Sequence, residues 1–169
     1  NTPDYIPGVC VNTILGGRFT SWLNDALRVN SGLTYGAGSR FGTYRNSGTF
    51  AISTFTKVST TTEAIDMALH VLDSLHRTGI DEKTLLSAKN YVKADFPPNY
   101  ESAGSLANLL TDMFSLGFDE SFINNFQKNV DGLTVAKTRQ IIDQYFPKNN
   151  LQFVLIGKAE TIREKVKKY

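Results

Sequence analysis

One stretch, from Leu15 to Ala37, constrains the fold more than any other part of this 169-residue chain. Its apolar residues recur at the i, i+3, i+4, i+7 and i+8 spacing that places side chains on one face of a helix. These residues are Phe19, Trp22, Leu23, Ala26 and Leu27. Gly32 follows, and glycine ends helices because it enters the left-handed conformation without a Cβ penalty. The chain then resumes as a strand near Thr34, so the stretch predicts a helix, a tight turn and a strand that form a corner.

Two candidate functional residues lie at this corner. The predicted helix should turn about 100° per residue, which places Ser21, Asn24, Asp25 and Arg28 opposite the apolar face. Arg28 falls in the last turn and Tyr35 at the start of the strand, so both can point to the same side. Taken alone, Arg28 is an ordinary surface arginine beside Asp25, near the negative end of the helix dipole. Tyr35 is then an ordinary strand tyrosine whose hydroxyl reaches water.

The rest of the chain predicts an α+β fold. A first helix is expected over about 5–16, and a hairpin over 34–45 and 48–58 because both segments alternate and Asn46-Ser47-Gly48 is a turn signal. Thr60-Thr61-Thr62-Glu63 predicts a capping box. Helical patterns follow at 60–76, 82–95, 100–116, 122–126, 134–147 and 160–168, and the apolar run 151–156 fits a buried strand. Strands followed by a run of helices favour a mostly antiparallel sheet with helices packed on one face.

Composition limits the classes of function. Hydrophobic residues make up 41% of the chain, which is enough for a core, and the length suggests one domain. The formal charge of +2 is spread along the chain, which does not indicate binding to nucleic acid or to a lipid surface. The basic run 163–168 fits a solvated terminal helix. The single cysteine, Cys10, excludes an internal disulfide and lies among apolar residues. No apolar stretch is long enough for a membrane span, so we expect a soluble protein of the cytoplasm or periplasm.

The corner carries a long ordered motif: Leu15-Gly16-Gly17, Phe19-Thr20-Ser21, Leu23, Leu27-Arg28 and Gly32-Leu33-Thr34-Tyr35-Gly36-Ala37. It resembles the motif in the C-terminal half of the pitrilysin, insulin-degrading and mitochondrial-processing-peptidase family, the inverzincin metallopeptidases. The resemblance implies the processing-peptidase-like (LuxS/MPP-like metallohydrolase) fold. By the same resemblance, 1–169 is a single C-terminal half domain and a fragment that lacks its first strand or strands.

The resemblance implies roles for Arg28 and Tyr35. In the family, an arginine and a tyrosine at this spacing reach across to the zinc site of the partner half. They are implied to bind the scissile carbonyl of a peptide and the oxyanion that develops as the zinc-bound water attacks. A guanidinium and a phenol suit this task because both are hydrogen-bond donors that can be aimed where negative charge appears.

The zinc motif itself is absent from the sequence. The family's catalytic half carries His-x-x-Glu-His, which puts two imidazoles and a general base on one helix. This chain has only His70 and His76, six positions apart, without that pattern between them. We therefore expect no metal ligand or cofactor in this chain. Zinc is expected on a His-x-x-Glu-His-bearing partner domain or subunit, with a peptide or an unfolded protein as substrate.

Three functions stay open on the sequence. The first is the Arg/Tyr-bearing, non-zinc half of a zinc metallopeptidase, inactive alone, which stabilises the tetrahedral intermediate of peptide hydrolysis. The second is a non-catalytic structural or assembly subunit of the same fold, and the third is a stand-alone peptide-binding module.

Arg18 stands where the family has a small residue, and Trp22 where it often has arginine, so Trp22 is either a core or an interface residue. The edge of the predicted hairpin could also add a substrate strand.

Overall fold

The fold packs a β-hairpin against a layer of helices. The computed structural model describes residues 2–169, apart from the side chain of Asn99. The helices are α1 (Tyr5–Asn12), α2 (Trp22–Asn24), α3 (Thr61–Thr78), α4 (Glu82–Asp95), α5 (Ala103–Leu116), α6 (Ser121–Asn124), α7 (Phe126–Asp131), α8 (Val135–Tyr145) and α9 (Ala159–Val166). The strands are β1 (Ala37–Thr43) and β2 (Gly48–Thr54). These elements confirm the predicted α+β class.

Two wider helical segments extend the first two helices. A π-helical turn, Thr13–Gly17, follows α1, and another, Asp25–Asn30, follows α2. Short 3₁₀ turns occur at Val58–Thr60 and Pro98–Tyr100. π-Helical turns are rare and often occur near functional sites. In this chain both lie in the motif at the corner or next to it.

The hairpin is antiparallel, and its inner face closes the core. Ser39 pairs with Ile52 and Phe41 with Phe50 across the two strands. The rings of Phe41 and Phe50 meet Phe146, the residue after α8, with ring centres 5.2 and 5.0 Å away. Phe146 is fully buried, because ring contacts from both strands cover it. The hairpin is therefore anchored to the helical layer by an aromatic cluster.

The core lies between the corner and the helices α3, α4, α7 and α8. Its fully buried members are mainly aliphatic and come from every one of these elements: Val11, Ile14, Leu15, Leu23, Leu27, Leu75, Leu85, Val130, Ile141 and Ile142. Burying each such side chain contributes roughly 1.5–3 kcal/mol relative to exposure. The apolar half of the corner is thus held rigidly against the domain.

Side-chain caps fix the starts of three helices. The carboxylate of Asp81 accepts a hydrogen bond from the Thr84 backbone N–H at 2.7 Å, and Thr134 caps α8 in the same way. Ser102 caps α5 by accepting from Ser105. The capping box predicted at 60–63 is wrong, because the Thr60 hydroxyl instead contacts the Thr56 hydroxyl and donates to the Lys57 carbonyl.

The segment 151–156 does not form the buried strand that was predicted. It is assigned no regular structure, and Val154 and Ile156 are 84% and 98% exposed. A strand needs a hydrogen-bonded neighbour, and within the described residues β1 and β2 pair only with each other. The apolar run therefore has the composition of a strand but no neighbour here to pair with.

Candidate functional site

The predicted helix of the corner begins later than expected, and three residues lie elsewhere than the pattern predicted, although Leu23 and Leu27 are buried as expected. It begins at Trp22, so Phe19 lies outside it and is 66% exposed, although the pattern predicted it on the apolar face. Ser21 and Asn24 were expected on the polar outer face but are buried. Ser21 precedes the helix, so the 100° period does not apply to it, and Asn24 is held inward by its hydrogen bonds to Phe19 and Ala37.

Asn12 and Ser39 join the first helix to the hairpin. The Asn12 amide donates to the Ser39 carbonyl at 3.0 Å, and the Ser39 hydroxyl donates to the Asn12 Oδ1 at 2.7 Å. Gly16 makes this close approach possible, because a Cβ there would lie 2.3 Å from the Ser39 backbone nitrogen. The glycine pair of the motif thus lets the helix end lie directly on β1.

Asn24 ties together the two chain segments on either side of the helix. Its Nδ2 donates to the Phe19 carbonyl at 2.7 Å, and its Oδ1 accepts from the Ala37 N–H at 3.4 Å. Its side chain is almost fully enclosed. This buried amide fixes the loop that carries Phe19 relative to the start of β1.

Gly32 turns the chain from helix to strand as predicted. Its φ of 62° lies in the left-handed region, which glycine adopts without strain. The Leu27 carbonyl accepts hydrogen bonds from the N–H groups of Leu33 and Thr34 at 2.8 and 3.2 Å, which closes the helix end. β1 starts only at Ala37, so Tyr35 lies in the connecting segment rather than in the strand.

Arg28 lies between two aromatic rings. Its guanidinium carbon Cζ is 4.7 Å from the centre of the Phe19 ring and 4.6 Å from the centre of the Tyr35 ring. Both distances are within the roughly 6 Å range of cation–π attraction. The structure thus brings the two predicted site residues together and adds Phe19; we call these three residues the Phe19–Arg28–Tyr35 stack.

The stack presents its polar groups outward. Phe19 and Tyr35 are 66% and 75% exposed, and Arg28 is half-buried. Among the described residues, no hydrogen bond or ion pair is found for the Arg28 guanidinium or the Tyr35 hydroxyl, including the pairing with Asp25 considered above. The donors of both side chains are therefore available to an oxygen acceptor from outside the described chain.

Phe19 is a site residue that the sequence reasoning missed. The apolar spacing assigned it to the core, and no periodic pattern distinguishes a core phenylalanine from one that folds back over a cation. Its position could have been found from Ser21. Ser21 has extended backbone geometry and directly precedes the helix, so Phe19 lies in the loop before it. A helix beginning there leaves Phe19 outside the helix.

Arg18 and Trp22 contribute to the scaffold of the site. The Arg18 guanidinium donates to the Ser87 hydroxyl at 3.0 Å and lies 5.8 Å from the centre of the Tyr91 ring. Arg18 therefore fastens the loop to α4. Trp22 is half-buried and packs against the core, which favours the core role over the interface role.

The rest of the described chain shows no metal centre. Nowhere in residues 2–169, as described, do three or more histidine, cysteine, aspartate or glutamate side chains come together as a metal would require. His70 is exposed and His76 is buried. Burial raises the pKa of the Cys10 thiol to about 12, so it stays protonated at neutral pH. None of the described helices is both long and apolar enough to cross a membrane.

Comparison with known proteins places this corner in a family. The family model of the peptidase M16 inactive domain matches residues 1–92, which is more than half of the chain and includes the whole motif. The chain belongs to this family. The resemblance to the pitrilysin type of metallopeptidase is thereby confirmed, and the match is to the domain described as inactive.

The chain is also similar to an individual protein in sequence and to solved structures in fold. The chain is similar to the non-peptidase homolog YmxG of Helicobacter pylori, with 24% identity over 85% of this chain and 33% of that protein. A crystal structure of a peptidase M16 inactive domain from Pseudomonas fluorescens has a TM-score of 0.80 at 24% identity, over 88% of this chain and 35% of that one. A protease from Helicobacter pylori has a TM-score of 0.75 at 23% identity, over 88% and 36%. The chain thus spans about a third of the length of these relatives.

Proposed function

We propose that this M16 domain is a non-catalytic half that docks onto a second half of the same family through the Phe19–Arg28–Tyr35 stack. The observation that carries the proposal is the stack itself, in which an arginine without a described ionic partner is held between two exposed rings. Arginine and tyrosine are enriched among the residues that dominate binding at protein interfaces. An assembly role also fits the name of the relative YmxG, a non-peptidase homolog.

A second function uses the same residues as hydrogen-bond donors in peptide hydrolysis. Arg28 and Tyr35 are in contact, and their N–H groups and hydroxyl are donors of the kind that a developing oxyanion needs. For this function the zinc, its bound water and a glutamate base belong to the His-x-x-Glu-His-bearing half. The chain would bind a peptide or an unfolded segment but cleave nothing alone. The name of the curated relative fits the assembly role better than this one.

One experiment separates the two functions. The intact protein is purified under mild conditions, co-purifying proteins are identified by mass spectrometry, and the complex is assayed with an internally quenched peptide. For the assembly role, we expect a partner of the M16 family and the same slow background rate for the wild type, Arg28→Ala and Tyr35→Phe. A rate that falls about a hundred-fold or more in either variant, with the complex still assembled, would establish the donor role instead.

The proposal also places the domain within a larger protein or complex. Residues 1–169 are proposed to be the C-terminal, non-zinc half domain, and the exposed run 153–156 is proposed to pair with strands outside these residues. The exposed edges of β1 and β2 could add a peptide strand in the same manner. Peptide titration into the isolated chain, followed by NMR shifts along β1 and β2, would test the strand-addition role separately.

A further inference from the structure

Phe19 lies where it can control the orientation of Arg28. Its ring centre is 4.7 Å from the Arg28 Cζ, on the loop that precedes α2, whereas Tyr35 approaches at 4.6 Å from the segment that precedes β1. No contact between the Phe19 and Tyr35 rings occurs in the part of the chain described. The rings therefore reach the guanidinium from different directions.

This arrangement leaves the N–H groups of the guanidinium without a partner among the described residues. An arginine side chain is flexible, and ordering it on binding costs conformational entropy. Contact with two rings restricts the guanidinium, while its N–H groups stay free to donate. A carboxylate or carbonyl oxygen is an acceptor that suits these donors.

The position of Phe19 is itself fixed by the fold. The carbonyl of Phe19 accepts from the buried Asn24 amide at 2.7 Å, and Asn24 also holds the start of β1. The Phe19 ring, in contrast, is 66% exposed, so the core does not depend on it. An exposed phenylalanine on a fastened backbone is explained by its contact with Arg28 better than by packing.

We propose that Phe19 is a positioning residue, which holds the Arg28 guanidinium in place for an oxygen acceptor of the second half. The proposal rests on the function proposed above. The contact has a stated chemistry: a carboxylate or peptide carbonyl oxygen of the partner accepts from the N–H groups of Arg28. Phe19 itself does not touch the acceptor.

The first test needs no partner. The Nε–Hε signal of Arg28 is recorded by NMR in the intact protein, in Phe19→Leu and in Phe19→Tyr. We expect a ring-current shift in the wild type that moves toward the value of free arginine in Phe19→Leu and is kept in Phe19→Tyr. An Arg28 signal that is the same in Phe19→Leu as in the wild type would overturn the proposal, whatever the protein's function.

The second test is a double-mutant cycle on docking. The protein is titrated with the His-x-x-Glu-His-bearing half, supplied as a separate chain. The Phe19→Leu change should weaken binding about two- to five-fold, the size of an exposed cation–π contact. Phe19→Tyr should restore binding, and Phe19→Leu should have no further effect in an Arg28→Ala background.

The outcomes distinguish this proposal from the proposed function. If Arg28→Ala weakens docking and Phe19→Leu does not, or if the two effects simply add, Phe19 is not a positioning residue. If Arg28→Ala leaves docking unchanged, the proposed docking function fails, and the NMR shift alone then decides whether Phe19 orients Arg28.

Discussion

The buried amide of Asn24 donates to the carbonyl of Phe19 at 2.7 Å and so fixes the backbone at Phe19, whose side chain is exposed to solvent. The same side chain accepts from the N–H of Ala37 at the start of the hairpin. One amide thus holds both ends of the segment that carries Arg28. The orientation of the stack depends on this internal polar contact as well as on its exposed rings.

Replacing Asn24 should therefore loosen the corner. In Asn24→Ala the carbonyl of Phe19 and the N–H of Ala37 lose their partner, and each such buried group costs about 1–3 kcal/mol. We expect a lower free energy of unfolding in urea, while Asn30→Ala, an exposed change at the end of the same helical segment, should leave it unchanged. Equal stability of the Asn24→Ala variant and the wild type would show that these hydrogen bonds do not hold the corner.

Gly16 and Gly8 form a matched pair for testing the close approach of helix and strand. A Cβ on Gly16 would lie 2.3 Å from the Ser39 backbone nitrogen, whereas one on Gly8 meets nothing within 4 Å. The Gly16→Ala change should destabilise the protein by about 1–3 kcal/mol. The Gly8→Ala change should stabilise it by up to about 1 kcal/mol, because alanine is the better helix former. A thermal-melting comparison in which both variants behave alike would contradict the close approach of the first helical segment to β1.

The buried His76 should make the stability of the protein depend on pH. Burial, followed by the nearby Lys148, lowers the pKa of the His76 imidazole below its ordinary value of 6.5, and the Asp143 carboxylate 3.7 Å away only partly opposes this. The folded state thus binds a proton less readily than the unfolded state. The stability that comes from the neutral imidazole is present above pH 6.5 and is lost as the pH falls through the lowered folded pKa.

Variants of the two histidines test this dependence by thermal melting between pH about 7 and about 5. The melting temperature of the wild type should fall with decreasing pH. In His76→Leu the fall should be smaller, because no imidazole has to take up a proton on unfolding. The exposed His70 is the control, and His70→Gln should keep the wild-type dependence. A His76→Leu variant with an unchanged pH dependence would argue against a buried neutral imidazole.

Much of this fold could be predicted from local signals. The turn at Gly32, the hairpin around Asn46-Ser47-Gly48 and the caps at Asp81 and Thr134 each depend on one residue and its immediate neighbours. Such signals act before any tertiary contact forms, and the folded chain keeps all of them.

The errors concern features that depend on distant contacts. Ser21 precedes the helix and Asn24 is buried by its bonds to Phe19 and Ala37, and neither can be inferred from a fixed helical period. The run 151–156 has strand composition, but pairing requires a neighbouring strand that the pattern alone does not reveal. Thr60 has a second partner in Thr56, which competes with its capping role.

Two of the three residues of the candidate site could be predicted from the sequence, and the third could not. Arg28 and Tyr35 were identified from the motif, and the structure places the guanidinium against the ring. Phe19 was missed because its contact with Arg28 depends on a loop that precedes the helix, and an apolar residue in a helical pattern is interpreted first as core.

The affinity with which the Arg28→Ala variant docks onto its partner tests the central claim most directly. The protein is titrated calorimetrically with the His-x-x-Glu-His-bearing half, and Arg77→Ala is the control, since Arg77 is an exposed arginine paired with Asp73 on α3. If the stack is the docking site, Arg28→Ala should weaken binding about thirty-fold, as expected for a central interface arginine, and Arg77→Ala should change it little. Equal affinities of wild type, Arg28→Ala and Arg77→Ala would contradict docking through the stack.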